Sequence, residues 1–383
     1  MEIAWFTETW LPARDGVVTS LLLFKKALEK KGHNIYIFAP GNENKRENNT
    51  IYYEMKIWKK YADYRFFPTA NTLFTAFKRT RKIINEIGAD VIHSHSPGFI
   101  GMNAITASKY APLAFTFHTF IDESVYFAFK NEKLQELAKE GIRKWLKFYF
   151  SKCCCIIAPS QYVADKLKNL TNKEIKILPT GIEIERFCRS NGKRIKEKFG
   201  DKKIILHVGR IVKEKNIHLL IESAPYILKK VDAIFVIVGK GPAKKELEEL
   251  VKKKGLENHF VFTGFVKDEE LPDYYKAGDV FAFPSTYETQ GIVALEAMAS
   301  GTPVVAARAK AIPEFVKDGK NGYLFKPNDA KEFAEKILMA IENKELGKKA
   351  FEYAKRYSIE KMAEKLIKIY EEMEDENKRK GVY

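Results

Sequence analysis

Lys203-Ile-Ile-Leu-His-Val208 is followed at once by Gly209-Arg210-Ile-Val-Lys213-Glu-Lys215-Asn216, and then by an amphipathic run that reaches Lys229. The first six residues are mostly β-branched or apolar, as in a strand buried on both faces. The run from Lys215 to Lys229 has helical spacing. A strand that passes through a glycine-bearing loop into a helix is half of a βαβ unit. Further strands are expected at Ala233–Val238, Phe260–Phe262, Val280–Phe283, Pro303–Val305 and Gly322–Phe325, with helices at Ala243–Gly255 and Gly291–Ala299. Such alternation predicts the α/β class, with a parallel sheet covered on both faces.

The same pattern fills the chain upstream. Strands are expected at Glu2–Phe6, Asn34–Ala39, Thr50–Glu54, Val91–His93, Leu113–Phe117, Cys155–Ala158 and Ile175–Leu178, with a helix at Thr19–Lys31. Two runs of similar size predict two doubly wound, Rossmann-like domains facing a cleft. Pro179-Thr180-Gly181 and the polar stretch Arg189–Arg194 mark the boundary, giving domains 1–180 and 181–358. A last amphipathic helix, Ile359–Met373, lies in the closing segment 359–383.

Composition narrows the function classes. The chain has 383 residues, 45% of them hydrophobic and 30% charged. That excludes a disordered chain. No apolar run approaches the roughly 20 residues that span a bilayer. Met1-Glu-Ile-Ala-Trp-Phe6 reads as a strand rather than a signal peptide, so a cytoplasmic protein is expected. The formal charge is +16, of which +10 falls in residues 1–180. A basic surface suits nucleic acid, anionic lipid or a phosphorylated substrate, and charge alone does not choose. Cys153, Cys154, Cys155 and Cys188 form no C-x-x-C pair; the first three lead into an apolar strand and read as small core residues.

Ligands of open α/β sheets bind at the carboxyl ends of strands, where helix N-termini point. The first strand is followed by Pro12-Ala-Arg-Asp-Gly16, a turn that either simply reverses the chain or brings backbone N–H groups up to a phosphate. After Val208, Arg210 and Lys215 are either a solvated charge cluster or the cations for a diphosphate. After Phe283 comes Pro284-Ser-Thr-Tyr-Glu288-Thr-Gln-Gly291-Ile292-Val293-Ala-Leu-Glu296. Gly291, Ile292 and Val293 open a helix whose N–H groups and dipole can hold phosphate. Glu288 and Glu296 can accept sugar hydroxyls, although acids are also common at helix starts.

Glu-x7-Glu after Pro-Ser, with Gly-Arg-x4-Lys-Asn before it, resembles the retaining glycosyltransferases of family GT4, which have the GT-B fold. The resemblance extends over nearly the whole chain. It includes Asp15-Gly-Val17, Asp90-Val-Ile-His-Ser-His95, Leu178-Pro-Thr-Gly-Ile182, Phe262-Thr-Gly-Phe-Val266, Ala297-Met-Ala-Ser-Gly-Thr-Pro-Val304 and Asp318-Gly-Lys-Asn-Gly322. It implies that Arg210 and Lys215 bind the donor diphosphate and Glu296 its ribose. Glu288 would contact the donor sugar, Gly291 to Val293 would supply backbone donors, and Val266 would lie near the base. Gly16 would approach the phosphate, and His118 would stand beside the reacting sugar. The C-terminal helix would cross back to the N-terminal domain. Asp15, where the family often has Gly, and Thr180, where it often has Asn, depart from the pattern. No Asp-x-Asp occurs, and His93 and His95 lack a third ligand at suitable spacing, so neither a metal nor a cofactor is expected.

Phe117-His-Thr-Phe-Ile-Asp122-Glu123 and Thr7-Glu-Thr-Trp-Leu-Pro12 resemble the diacylglycerol glucosyltransferases within that family. In Glu132–Phe150 the apolar stripe Leu134, Leu137, Ala138, Ile142, Trp145, Leu146, Tyr149 opposes Lys139, Arg143, Lys144 and Lys147. This is either an ordinary domain helix or one lying on an anionic membrane; Phe74–Lys82 is a second basic, aromatic stretch. The expected activity is transfer of a hexose from a nucleotide-diphosphate sugar, UDP-glucose or GDP-mannose in type, to a lipid hydroxyl at the inner face of the cell membrane, without nucleic acid. A soluble sugar or phosphosugar acceptor, a nucleotide-sugar epimerase, or a non-enzymatic membrane- or nucleic-acid-binding protein are the competing readings.

Overall fold

The computed structural model describes residues 1–13, 15–57, 65–120 and 131–379. They form two compact units: Met1–Gly181 with Glu360–Tyr383, and Ile182–Ile359. Both are α/β units built on largely parallel sheets.

In the first unit the strands are β1 (Glu2–Phe6), β2 (Asn34–Gly41), β3 (Lys45–Glu47), β4 (Thr50–Ile57), β5 (Arg65–Pro68), β6 (Val91–Ser94), β7 (Leu113–Thr116), β8 (Cys155–Ala158) and β9 (Ile175–Ile177). Their order is β3-β4-β2-β1-β6-β7-β8-β9, with β5 also on β4. Among the described strands only β3 and β5 pair antiparallel, both with β4. Ile3, Ala4, Trp5 and Phe6 are fully buried, as befits a central strand covered on both faces. The two antiparallel strands are absent from the expected pattern. The order reverses at β1, so the loops after β1 and β6 flank the topological switch point.

The last helix, Ile359–Arg379, runs past the expected Met373 and packs in this first unit. Trp5 Nε1 donates to Tyr370 Oη at 3.1 Å, and Lys31 and Lys176 pair with Glu364 and Glu372. The stripe Met362, Leu366, Ile369, Tyr370 and Met373 is buried, which is the burial that fixes it there.

The second unit contains β10 (Lys203–Val208), β11 (Ala233–Val238), β12 (Phe260–Gly264), β13 (Val280–Phe283), β14 (Val304–Ala307) and β15 (Gly322–Phe325). All pairs are parallel, in the order β12-β11-β10-β13-β14-β15. This is the doubly wound order, with its switch point between β10 and β13. The helix expected from Lys215 starts at Ile217, because Lys213–Lys215 forms a 3₁₀ turn and Asn216 takes φ +50°.

Two expectations need correction. The helix Glu132–Lys152, capped by Asn131, buries Leu146, Tyr149 and Phe150 but also Gln135 and Lys139. Leu134 and Leu137 stay half to two-thirds exposed. The buried face is therefore rotated from the apolar stripe. Lys139 is buried and paired with Glu136 at 2.7 Å, so it does not belong to the exposed basic face. A long aliphatic stem can lie in a core while its ammonium reaches a carboxylate. Arg143, Lys144 and Lys147 are exposed as expected. Among the cysteines, Cys153 and Cys155 are buried, but Cys154, on the turn before β8, is exposed. Burial pushes the Cys155 thiol up to about 12.

Candidate active site

In the second unit the loops after β10 and β13 meet at the switch point. Lys215 Nζ lies 2.5 Å from Glu288 Oε1, with the two side chains only 19% and 12% exposed. Asn216 Nδ2 donates to Thr286 Oγ1 at 2.9 Å, which ties the same two loops together. Asn suits φ +50° because its short polar side chain tolerates the left-handed region. Arg210 stands on the same loop, 58% exposed, with Nη2 3.7 Å from Glu214.

Gly239 and Gly241, after β11, let this loop sit close. A Cβ on Gly239 would lie 1.9 Å from the Gly209 carbonyl oxygen, and one on Gly241 2.1 Å from that of Ile211. The Gly209 N–H donates to Val238 O, and the Ile211 N–H donates to Lys240 O.

After β13, Gly291 takes φ +89° at the N-cap of the helix Ile292–Ala299. A Cβ there would meet the Phe283 ring at 3.0 Å. Ile292 and Val293 form the first turn, whose N–H groups have no acceptor within the helix. Glu296, one turn on, is buried and accepts from the Tyr275 hydroxyl at 2.7 Å. Burial raises its carboxyl pKa, while the Tyr275 hydrogen bond and the Arg186 charge pull it down. Val266 is half-buried after β12, two strands from β10, beside the exposed Phe265.

The first unit has a second group of polar residues at the carboxyl ends of β1, β6 and β7. Gly16 opens the helix Gly16–Lys30, and a Cβ there would meet no atom of the described residues within 4 Å. Asp15 caps this helix by accepting from the Val18 N–H at 2.9 Å, which gives the departure at that position a structural job. His118 Nε2 lies 3.1 Å from His95 Nδ1. His93 is held between Tyr370 and Thr116. Among the described residues no three His, Cys, Asp or Glu side chains converge as metal ligands. Asp122 lies outside the described residues.

Glu8 in the first loop was not singled out by its sequence. Its Oε1 accepts from the Ile100 and Gly101 N–H groups at 2.7 and 3.3 Å, at the N-terminus of the helix Phe99–Ala107. Burial nevertheless pushes its carboxyl up to about 7. Tyr275, Tyr370 and the two glycines after β11 also join these groups through tertiary contact alone, while His95, weighed in the sequence only as a metal ligand, proves to be the partner of His118. The one sequence signal for Glu8 is a polar residue close behind an apolar strand, two positions after Phe6.

The family model described as Glycosyltransferase Family 4 matches residues 14–186, and that described as Glycosyl transferases group 1 matches residues 189–357. An alpha-monoglucosyldiacylglycerol synthase of Acholeplasma laidlawii is 31% identical over 404 residues, covering 99% of both chains. The chain belongs to glycosyltransferase family 4. A second alpha-monoglucosyldiacylglycerol synthase, from Streptococcus pneumoniae, is 30% identical and covers 85% of this chain and 75% of its own. The sucrose-phosphate synthase structure from Thermosynechococcus elongatus superposes with a TM-score of 0.80 at 22% identity, covering 97% of this chain and 98% of that one. The glycosyltransferase thus has the GT-B fold, and its family makes it a hexosyltransferase. Among its described residues no helix is long and apolar enough to cross a membrane.

Proposed function

We propose that this glycosyltransferase forms a glycolipid, moving a hexose from a nucleotide-diphosphate sugar of UDP-glucose or GDP-mannose type to a lipid hydroxyl such as that of diacylglycerol. The observation that carries this reading is the end-to-end match to a monoglucosyldiacylglycerol synthase. In the second unit, Arg210, Lys215 and the N-terminus of the helix Ile292–Ala299 would hold the diphosphate and stabilise its departure. Glu296, with one oxygen bound to Tyr275, would offer the other to the ribose. Glu288, steadied by Lys215, would accept donor sugar hydroxyls, and Val266 would border the base. In the first unit, His118 would stand beside the reacting sugar, and the Gly16 N–H would approach the phosphate. The acceptor hydroxyl would attack the face the diphosphate leaves, and the leaving oxygen would take the proton. That route retains configuration without an enzyme nucleophile. It needs no metal, since the cations and the helix dipole meet the developing charge.

Gly16 gives a test that separates binding from folding. Gly16→Ala meets no atom of the described residues within 4 Å and adds helix propensity, worth at most about 1 kcal/mol. The melting temperature should hold or rise, while kcat/KM for the nucleotide sugar falls at least tenfold. An unchanged kcat/KM removes Gly16 from the donor site.

Peripheral attachment to an anionic membrane is part of the same proposal. The helix Glu132–Lys152 exposes Leu134, Leu137 and Phe148 together with Arg143, Lys144 and Lys147. Phe74 is 82% exposed on the helix Ala70–Ile87, which also exposes Lys78 and Lys82. Apolar side chains with basic neighbours bind anionic lipid reversibly. Reversing Arg143, Lys144 and Lys147 to Glu should cut binding to phosphatidylglycerol vesicles by tenfold or more, with about 1 kcal/mol lost per cation. Sedimentation with vesicles reads this directly, and undiminished binding rejects this face.

A further inference from the structure

The first unit contains a buried chain of polar side chains whose direction follows from giving each buried hydrogen an acceptor. The indole N–H of Trp5 can only donate. Tyr370 Oη, 3.1 Å away, therefore accepts. The phenol has one hydrogen, and among the described contacts its acceptor is His93 Nδ1 at 2.6 Å, so donating there avoids leaving a buried O–H unpaired. His93 accepts at Nδ1, so its proton lies on Nε2, which donates to Thr116 Oγ1 at 2.7 Å. The Thr116 hydroxyl then has its own hydrogen to pass on. Trp5, Tyr370, His93 and Thr116 are all buried.

The next link is an unpaired atom. His95 is 7% exposed, and its Nε2 is buried without a hydrogen-bond partner among the described residues. Thr116, His93, His95 and His118 line a cavity of about 20 Å³, measured for the centre of a water molecule. That is room for one water, and the lining supplies the polar partners it needs. A water that accepts from Thr116 and donates to His95 Nε2 satisfies the orphaned nitrogen. His95 then carries its proton on Nδ1 and donates across 3.1 Å to His118 Nε2. Burial lowers the His93 pKa to about 3 and the His118 pKa to about 4, and places that of His95 well below its ordinary value. Each imidazole is therefore neutral near pH 7, with one ring proton to place.

We propose that this chain, from Trp5 through Tyr370, His93, Thr116 and one buried water to His95, fixes His118 in the Nδ1–H tautomer, with His95 as its positioning residue. The consequence for catalysis rests on the reading of His118 as the group beside the reacting sugar. There it offers a hydrogen-bond donor to an oxygen and does not remove a proton. The C-terminal helix, through Tyr370, is then part of the apparatus that sets His118.

The test uses full-length protein with ¹⁵N-labelled histidine, and reads each ring's tautomer from long-range ¹H–¹⁵N correlations at pH 7. His118 should be protonated at Nδ1 and bare at Nε2. Tyr370→Phe, Thr116→Val and His95→Leu should each populate its Nε2–H form. His95→Asn, whose amide N–H replaces Nδ1–H, should restore the native signal. Thr116→Val removes one hydroxyl from a β-branched side chain, so it keeps the test open if the other variants fold poorly. A native His118 protonated at Nε2, or one indifferent to these changes, overturns the chain. On activity, His95→Leu should lower kcat about 10–100-fold with the donor KM unchanged, as loss of an outer partner does elsewhere, and His95→Asn should recover it. If the tautomer responds but kcat does not, the chain stands and the placing of His118 beside the sugar fails.

Discussion

Lys215→Met is expected to lower kcat/KM by roughly 10²–10³-fold, the loss that follows removal of one well-placed group stabilising charge in a transition state. It should also destabilise the second unit. Lys215 and Glu288 are 2.5 Å apart and mostly shielded from water. Removing one partner of a buried pair costs about 3–5 kcal/mol, because the other charge is left behind. Glu288 keeps some exposure, so the lower end applies. Glu288→Gln keeps shape and polarity and should lose activity with a smaller loss of melting temperature. The paired replacement Lys215→Met with Glu288→Met is the decisive variant. Apolar substitution of a whole buried pair is often neutral or stabilising. Its melting temperature should therefore recover while activity stays lost. Recovery of both would make the pair a structural strut rather than part of the donor site.

Gly239→Ala should be the most damaging single methyl in the second unit. The residue sits at φ +142°, a region that L side chains rarely adopt, and its Cβ would fall 1.9 Å from the Gly209 carbonyl. Backbone strain of about 1–3 kcal/mol and a comparable overpacking cost give roughly 2–6 kcal/mol together. At about 2–4 °C per kcal/mol for a unit of this size, the melting temperature should fall by of order 10 °C. The displaced segment is Gly209-Arg210, so donor affinity should fall with it. Gly255→Ala is the control, since φ +65° strains it but a Cβ there meets nothing within 4 Å. It should cost about 1–2 kcal/mol and leave activity intact. Equal effects on the two variants would show that the close approach of Gly239 to the Arg210 loop has no role.

The sequence carried the central strands well because burial on both faces leaves a continuous apolar run, as in Ala233–Val238. Lys45–Glu47 and Arg65–Pro68 carried no such signal. The first is a charged three-residue edge strand, and pairing on one side asks little of its side chains. The helix at Glu132–Lys152 was recognisable by period, but not the direction it faces. Lys139 reaches Glu136 from a buried position, which a count of apolar residues does not anticipate. Arg210, Lys215, Glu288 and Glu296 lie on two strand-to-helix segments whose motifs carry the family resemblance, which is what makes them legible. Tyr370 and His93 are 277 residues apart, and only the fold brings them within 2.6 Å. In the sequence Tyr370 is simply a position within the amphipathic run Ile359–Met373, with nothing local to single it out.

The central claim is that a hexose passes from a nucleotide sugar to a membrane lipid. Its most direct test is to incubate the full-length protein with radiolabelled UDP-glucose or GDP-mannose and phosphatidylglycerol vesicles containing diacylglycerol, and then to extract with organic solvent. Label should enter the lipid phase with one of the two donors, only when diacylglycerol is present, as the α-anomer. Label that stays in the aqueous phase with both donors, or that moves to a soluble sugar or phosphosugar in preference to lipid, would contradict the claim.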